Sequence, residues 1–181
     1  EEVDEHLAPL GEKLVGILRT KILPALADGQ IGFVIDGKSS TKRPHAALPA
    51  AAEPLPLLEP AIVLGLDDPK LFREGMSDVF ELADELVDAV RDMNPDAVPA
   101  GYSVPEPVKA KVEGGTLWSF PLTNSGLDEK VQPSIGVGDD AAVLSLVPKQ
   151  AGRLLVQTRL ETGSQLSKFE EPLVAAAALD F

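Results

Sequence analysis

The sequence predicts an α+β fold: an antiparallel or mixed sheet with helices packed mainly on one face. Three observations carry that prediction. Residues 59–93 read as a short buried strand that turns straight into a long two-faced helix. Residues 108–122 and 133–147 each read as a pair of short apolar strands around a Gly- or Asp-bearing turn. A helix followed by one more strand precedes them, over residues 1–36.

The first segment, to about Asp28, keeps heptad-like steps through Val3, Leu7, Leu10, Leu14, Ile17 and Lys21 or Ile22. Pro9, Gly11 and Gly16 weaken it as a helix, and Pro24 should kink or end it, because proline lacks the N–H and clashes with the preceding turn. Ala27-Asp28-Gly29 is a C-terminal stop. Ile31-Gly32-Phe33-Val34-Ile35 then reads as a strand closed by Asp36-Gly37.

Residues 38–58 read as a loop. Its front is basic, with Lys38, Lys42, Arg43 and His45, and its back is stiffened by Pro44, Pro49, Pro54 and Pro56. A structureless connection of about 20 residues is unusual in a compact domain and is often functional. Lys38, Lys42, Arg43 and His45 are therefore the candidate contact surface, against the plainer reading of a solvated connector. His45 has one fellow histidine, His6, and no acids beside it, which argues against a metal site.

Ile62-Val63-Leu64-Gly65-Leu66 is a continuous apolar run, the pattern of a strand covered on both sides. Pro60 suits its start, where a missing donor costs least. Asp67 and Asp68 stop the run. Pro69 has its φ already helical, and Asp68 before it is the expected N-cap. Phe72, Met76, Val79, Ala83, Leu86, Val90 and Met93 then step by three and four along one face, with Phe80, Leu82 and Val87 widening the stripe. Glu74, Asp78, Glu81, Glu85, Asp88 and Asp92 line the opposite face, which reads as solvated rather than as a docking face or cation site. Carboxylates along a straight helix point outward and cannot enclose an ion as a calcium loop does. Pro95 ends the helix after Asn94.

A second proline-rich connector, with Pro95, Pro99, Pro105 and Pro107, leads to the first hairpin. A three-residue loop, Glu113-Gly114-Gly115, is expected, setting Ala110 opposite Trp118 and Val108 opposite Phe120 with Gly115 left-handed; this gathers the apolar side chains on one face. A two-residue Gly-Gly loop would instead set Lys111 opposite Trp118 and Lys109 opposite Phe120. Trp118 reads as a core residue, not a ligand platform. In the second hairpin a turn on Asp139-Asp140 sets Val137 opposite Ala142 and Ile135 opposite Leu144. Gly136 and Gly138 are not a phosphate loop, since the third glycine and the following helix are missing. Pro148 opens a short helix through Leu154 and Leu155, and residues 173–181 read as a terminal strand.

The expected organisation is residues 1–58 as an N-terminal helix, strand and proline-rich loop, 59–158 as the main α+β unit, and 159–181 as a linker and a terminal strand pairing into the same sheet. Glu59-Pro60-Ala61-Ile62 before Asp68 is echoed by Glu171-Pro172-Leu173-Val174 before Asp180, an offset suited to tandem domains. On that view residues 1–58 are the tail of a preceding unit. The strand–Asp-Asp-Pro–helix opening, the Gly-Gly-Thr-Leu-Trp hairpin and the Asp-Asp hairpin with its short helix together resemble uncharacterised exported bacterial proteins built from strand–helix–hairpin–hairpin–helix units. The resemblance covers about residues 60–156; it implies export and an α+β fold, and brings no functional residues with it.

Composition narrows function by exclusion. With no cysteine, thiol catalysis, thiolate zinc sites and iron–sulfur clusters are out, and the absence suits an exported protein that avoids stray oxidation. A net charge of −13 disfavours nucleic acid and anionic membrane surfaces. No apolar run reaches the roughly 20 residues of a spanning helix. The chain starts at Glu1 with neither methionine nor signal peptide, as a processed chain or a piece of a longer one would. Six Phe, one Tyr and one Trp leave little for sugar or base stacking.

No nucleophile elbow, zincin motif, Walker loop or dinucleotide fingerprint occurs. A hydrolytic serine needs a histidine base, and only His6 and His45 exist. The adjacent pairs Asp67/Asp68 and Asp139/Asp140 are explained by a cap and a turn. No cofactor is implied. The expectation is a non-catalytic structural or protein-interaction module of a larger exported protein, in contact with neighbouring units of its own chain or with another protein; a cytoplasmic location is the alternative. The rival function is a carrier of small apolar ligands, with a pocket between helix and sheet lined by Phe72, Met76, Phe80 and Trp118.

Overall fold

A computed structural model describes residues 2–26, 29–99, 102–122 and 125–156. The expected terminal strand at 173–181, and the second half of the suspected repeat, lie outside these residues.

Six strands form one antiparallel sheet in the order β1-β4-β8-β7-β6-β5. They are β1 (Ile31–Asp36), β4 (Glu59–Gly65), β5 (Val108–Val112), β6 (Gly115–Ser119), β7 (Ser134–Val137) and β8 (Ala141–Ser145). The α+β class and the antiparallel sheet are as the sequence predicts. The segment before residue 59 supplies β1 to the same sheet, paired to β4 with Phe33 opposite Ile62 and Ile35 opposite Pro60.

The residues read as a bare loop between β1 and β4 hold a two-stranded sheet of β2 (Ser40–Thr41) and β3 (Leu55–Pro56). Prolines end strands rather than forbid them, and Pro56 sits at the last position of an edge, where no donor is required.

The long helix α3 (Pro69–Met93) begins as expected: the Asp68 carboxylate accepts from the Leu71 N–H at 2.9 Å. It crosses one face of the sheet. Phe72 joins the core with Leu66, Val137 and Ala142, and Met76 and Trp118 pack against it. Farther along, Phe80 meets Phe120 edge to face at 5.4 Å.

A second helix lies on α3. It runs as α1 (Glu2–Ile17), a π-helical turn (Leu18–Ile22) and a last turn, α2 (Leu23–Ala25). Pro24 cannot donate to the turn before it, so the helix widens ahead of the proline rather than breaking. Gly75 lets the helices close: a Cβ there would come within 2.7 Å of Ile22 Cδ1. Lys21 bonds Asp78 at 2.7 Å and Lys13 bonds Glu85 at 2.5 Å. The acidic line was expected to be a solvated face; two of its six carboxylates, Asp78 and Glu85, instead face lysines of this chain's own first helix. The stripe is also rotated from its expected centre, with Gly75 and Leu82 buried and Leu86 45% exposed, because α3 must serve both a sheet and a helix.

Among the described residues, the helix on the other face of the sheet is α4 (Pro148–Leu154), which opens at Pro148 as expected. Ala151 and Leu155 pack on Ala61, Leu117 and Val143. Gly136 makes room for them, since a Cβ there would lie 2.8 Å from Leu155 Cδ1.

The second hairpin has the expected register, Val137 opposite Ala142 and Ile135 opposite Leu144. The first does not. Its turn is Glu113-Gly114, so Lys109 faces Trp118 and Val112 faces Gly115. The left-handed residue is Gly114, at φ 84°, and not Gly115. Two facts decide this. A Cβ on Gly115 would stand 2.2 Å from the Val137 carbonyl oxygen, so glycine is needed inside the ladder. And β5 is an exposed edge, so aligning its apolar side chains gains little burial, while Lys109 Nζ rests 5.5 Å from the centre of the Trp118 ring.

Candidate functional site

Two regions stand out: an apolar groove on one corner of the sheet, and a buried ionic cluster behind it. Both follow from how the strands alternate.

The register places Ile31, Phe33 and Ile35 of β1 on the same face as Ile62 of β4, Leu144 of β8 and Ile135 of β7. That is the α3 face, but α3 runs from the end of β4 towards Phe120, and among the described residues the corner at the start of β4 stays open. Ile31, Phe33 and Ile35 are 61%, 74% and 69% exposed. A groove of about 570 Å³ lies there, walled by Phe33, Ile35, Pro60, Ile62, Phe120, Ile135, Leu144 and Leu146. Isolated exposed apolar side chains are ordinary on protein surfaces; a contiguous apolar groove is not, which makes this corner a candidate site. Among the described residues, strand β1 is also an outer strand of the sheet, with backbone donors and acceptors along its edge.

On the opposite face, at the same end of β4, the Glu59 side chain is fully buried. Its carboxylate accepts from the Ser39 N–H and from Arg153 Nη2, each at 2.5 Å. The same Arg153 nitrogen reaches both oxygens of Asp36 at 3.2 Å. Burial works against charge on Glu59, but the bonds from Ser39 and Arg153 more than offset it and hold the carboxyl down to about 2. Burial likewise opposes the charge on Arg153, and Glu59 and Asp36 reverse that, raising its pKa. Beside them Gln150, also fully buried, donates to the Glu59 carbonyl at 2.5 Å and accepts from the Ser145 hydroxyl at 2.6 Å. This cluster fastens β1, β4, β8 and α4 together. Enclosed and paired in this way, the carboxylate ties these elements together.

The basic residues singled out in the sequence do not converge on one point. Lys38 follows β1, and its N–H bonds Asp36. Lys42 and Arg43 are exposed, with the Lys42 carbonyl accepting from Ala51 at 2.7 Å and the Arg43 N–H donating to the Thr41 hydroxyl at 3.0 Å. His45 is half-buried; its Nδ1 accepts from Ala47, its backbone bridges Leu127, and its ring lies over Gly126. The loop is clamped to residues 125–130. The Thr41 hydroxyl donates to the Asp128 carboxylate, and Lys130 Nζ reaches the Ser40 carbonyl at 2.5 Å. Burial opposes the charge on Asp128, but Thr41 and the Lys130 N–H win and lower its pKa.

The residues proposed to line a carrier pocket pack elsewhere: Phe72, Met76 and Trp118 in the core, and Phe80 on Phe120. The groove opens beside them. Sequence reasoning passed over Phe33, Ile35, Glu59, Asp36 and Arg153. The period-two run of Ile31, Phe33 and Ile35 was the available signal for the groove, and the Glu directly ahead of an apolar strand was the signal for the cluster. Among the described residues, no three His, Asp or Glu side chains gather closely enough to hold a metal ion, and no helix is long and apolar enough to cross a membrane. No known family model matches the chain, and neither a curated protein nor a solved structure shows significant similarity to it.

Proposed function

We propose that this chain is a non-catalytic contact module of a larger exported protein, and that the apolar corner formed by β1, β4 and β8 is its contact surface. The exposure of Phe33, flanked two residues away by the exposed Ile31 and Ile35, carries this reading. Three large apolar side chains in a row on an edge strand are an aggregation hazard if left bare, and contact surfaces are where such rows are used. The cluster around Glu59 supports it by holding the strands of that corner rigid. The absence of cysteine and the resemblance in strand–helix–hairpin order support export.

The size and apolar walls of the groove favour a second reading, a carrier of small apolar molecules, with Phe33 and Ile62 rather than Phe72 and Met76 as its lining. One experiment separates the two. p-Benzoylphenylalanine is placed at position 33 of the full-length polypeptide in cells and irradiated. A discrete polypeptide adduct, within the chain or to a second one, supports the contact module. Adducts only with small apolar molecules support the carrier. No adduct beyond that of the same probe at position 149, on the far face, refutes both.

A further inference from the structure

We propose that β1 is a self-pairing edge: two copies of this chain join their sheets by antiparallel pairing of β1 with β1, with Phe33 beside the two-fold axis. The proposal rests on the contact-module reading and names its partner as a second copy.

The phase of the β1–β4 ladder carries it. The Gly65 N–H donates to the Gln30 carbonyl at 2.9 Å, one step beyond the pair of Ile31 with Leu64. Hydrogen bonds between antiparallel strands recur at every second residue. Gly32, Val34 and Asp36 therefore turn their backbone groups to β4, and Ile31, Phe33 and Ile35 turn theirs away from it. Pro60 fits this phase, since it stands opposite Ile35 and has no N–H to give. Among the described residues nothing pairs with the outward groups. The same three residues hold the exposed side chains of the apolar corner. One row thus offers both backbone pairing and apolar surface.

The two edges of the sheet differ. The other outer strand, β5, carries Lys109 and Lys111, a common protection against pairing with another chain. Strand β1 has neither charge nor proline from Ile31 to Ile35. It also matches itself. Antiparallel pairing centred on Phe33 sets Ile31 opposite Ile35 of the second copy, joins all three outward residues and makes about six hydrogen bonds between the chains. Residues directly opposite share a face, so the two apolar rows meet side by side. Charge selects this arrangement. It sets Gln30 opposite Asp36 of the second copy, whereas an in-register parallel pair would set Asp36 against Asp36. A net charge of −13 on each copy opposes association at long range, so the pairing should tighten as salt is added.

The chain has no native cysteine, so single substitutions report on the contact. Phe33→Cys, Ile31→Cys, Ile35→Cys and, on the opposite edge, Lys111→Cys are made in the full chain, oxidised with glutathione disulfide and followed on non-reducing gels. All four positions are exposed, so the substitutions do not threaten folding. In the proposed register the two Phe33 Cα atoms stand about 5.5 Å apart, within disulfide range, and the two Ile31 Cα atoms about 13 Å apart. Phe33→Cys should dimerise at least about tenfold faster than Lys111→Cys, the difference between a docked pair and a colliding one. In a mixture, Ile31→Cys should link to Ile35→Cys by a similar factor faster than either links to itself. Equal rates in either comparison overturn the pairing. Phe33→Lys reduces the long-range repulsion, yet it should abolish the salt-strengthened dimer seen by sedimentation of the cysteine-free chain; a dimer that survives the substitution overturns the proposal too. If no dimer forms while the photoprobe at position 33 still captures a polypeptide, the second copy is wrong and the contact module stands. If the probe captures no polypeptide either, both are wrong.

Discussion

Replacing Glu59 by Gln removes a charge and almost no volume, from a side chain with no exposed surface. The amide oxygen can still accept from Ser39. The amide nitrogen, however, faces Arg153, donor against donor, and the guanidinium loses its nearest anion. The cost follows from linkage. Glu59 is held down to about 2, against an ordinary value near 4.5. At roughly 1.4 kcal/mol for each pH unit of difference, the ionised form contributes about 3 kcal/mol at pH 7. This agrees with the range of about 3–5 kcal/mol for removing one partner of a buried pair. Because Arg153 is 35% exposed and partly screened, the lower end applies. For a domain of this size the midpoint of thermal unfolding should fall by about 6–12 °C.

The sign with pH is fixed. A carboxyl whose folded value is depressed contributes fully above its unfolded value and progressively less as pH falls towards the folded one. The gap between wild type and Glu59→Gln should thus be full at pH 7, about half as large at pH 3, and nearly gone at pH 2. Urea titrations at those three pH values, read by circular dichroism, measure it. A gap below about 1 kcal/mol at pH 7, or one that does not change with pH, would refute the assignment of Glu59 as an ionised tie.

Two further expectations concern the backbone. Asp68→Ala removes the acceptor for the Leu71 N–H and should cost about 1 kcal/mol, whereas Asp68→Asn should restore most of it in the same urea titration. Gly115→Ala drives a methyl into the Val137 carbonyl; it should destabilise by about 3 kcal/mol or more and expose the β6 amides to hydrogen exchange, whereas Gly152→Ala, which meets open space, should do neither.

How much of this was legible beforehand varies with the range of the interaction. The Asp68 cap, the span of α3, the start of α4 at Pro148 and the register of the second hairpin all follow from residues a few places apart. The first hairpin misled because the pattern rule presumes a buried face, and β5 lies on an edge where neither side chain set gains much by burial. Nothing local foretold that Glu59 would meet Arg153, 94 positions away, or that α1 would lay its lysines along the acids of α3.

Residue patterning was enough for the α+β class, for the alternation that puts Ile31, Phe33 and Ile35 on one side, and for the lack of any thiol in these 181 residues. That this side is the one left uncovered among the described residues is a matter of packing. Strand alternation fixes which residues share a face, but whether a face is covered depends on where one helix, starting at Pro69, happens to cross six strands. That crossing is set by packing between Phe72, Gly75 and Phe80 and their distant partners, and among the described residues it leaves one corner of the sheet uncovered.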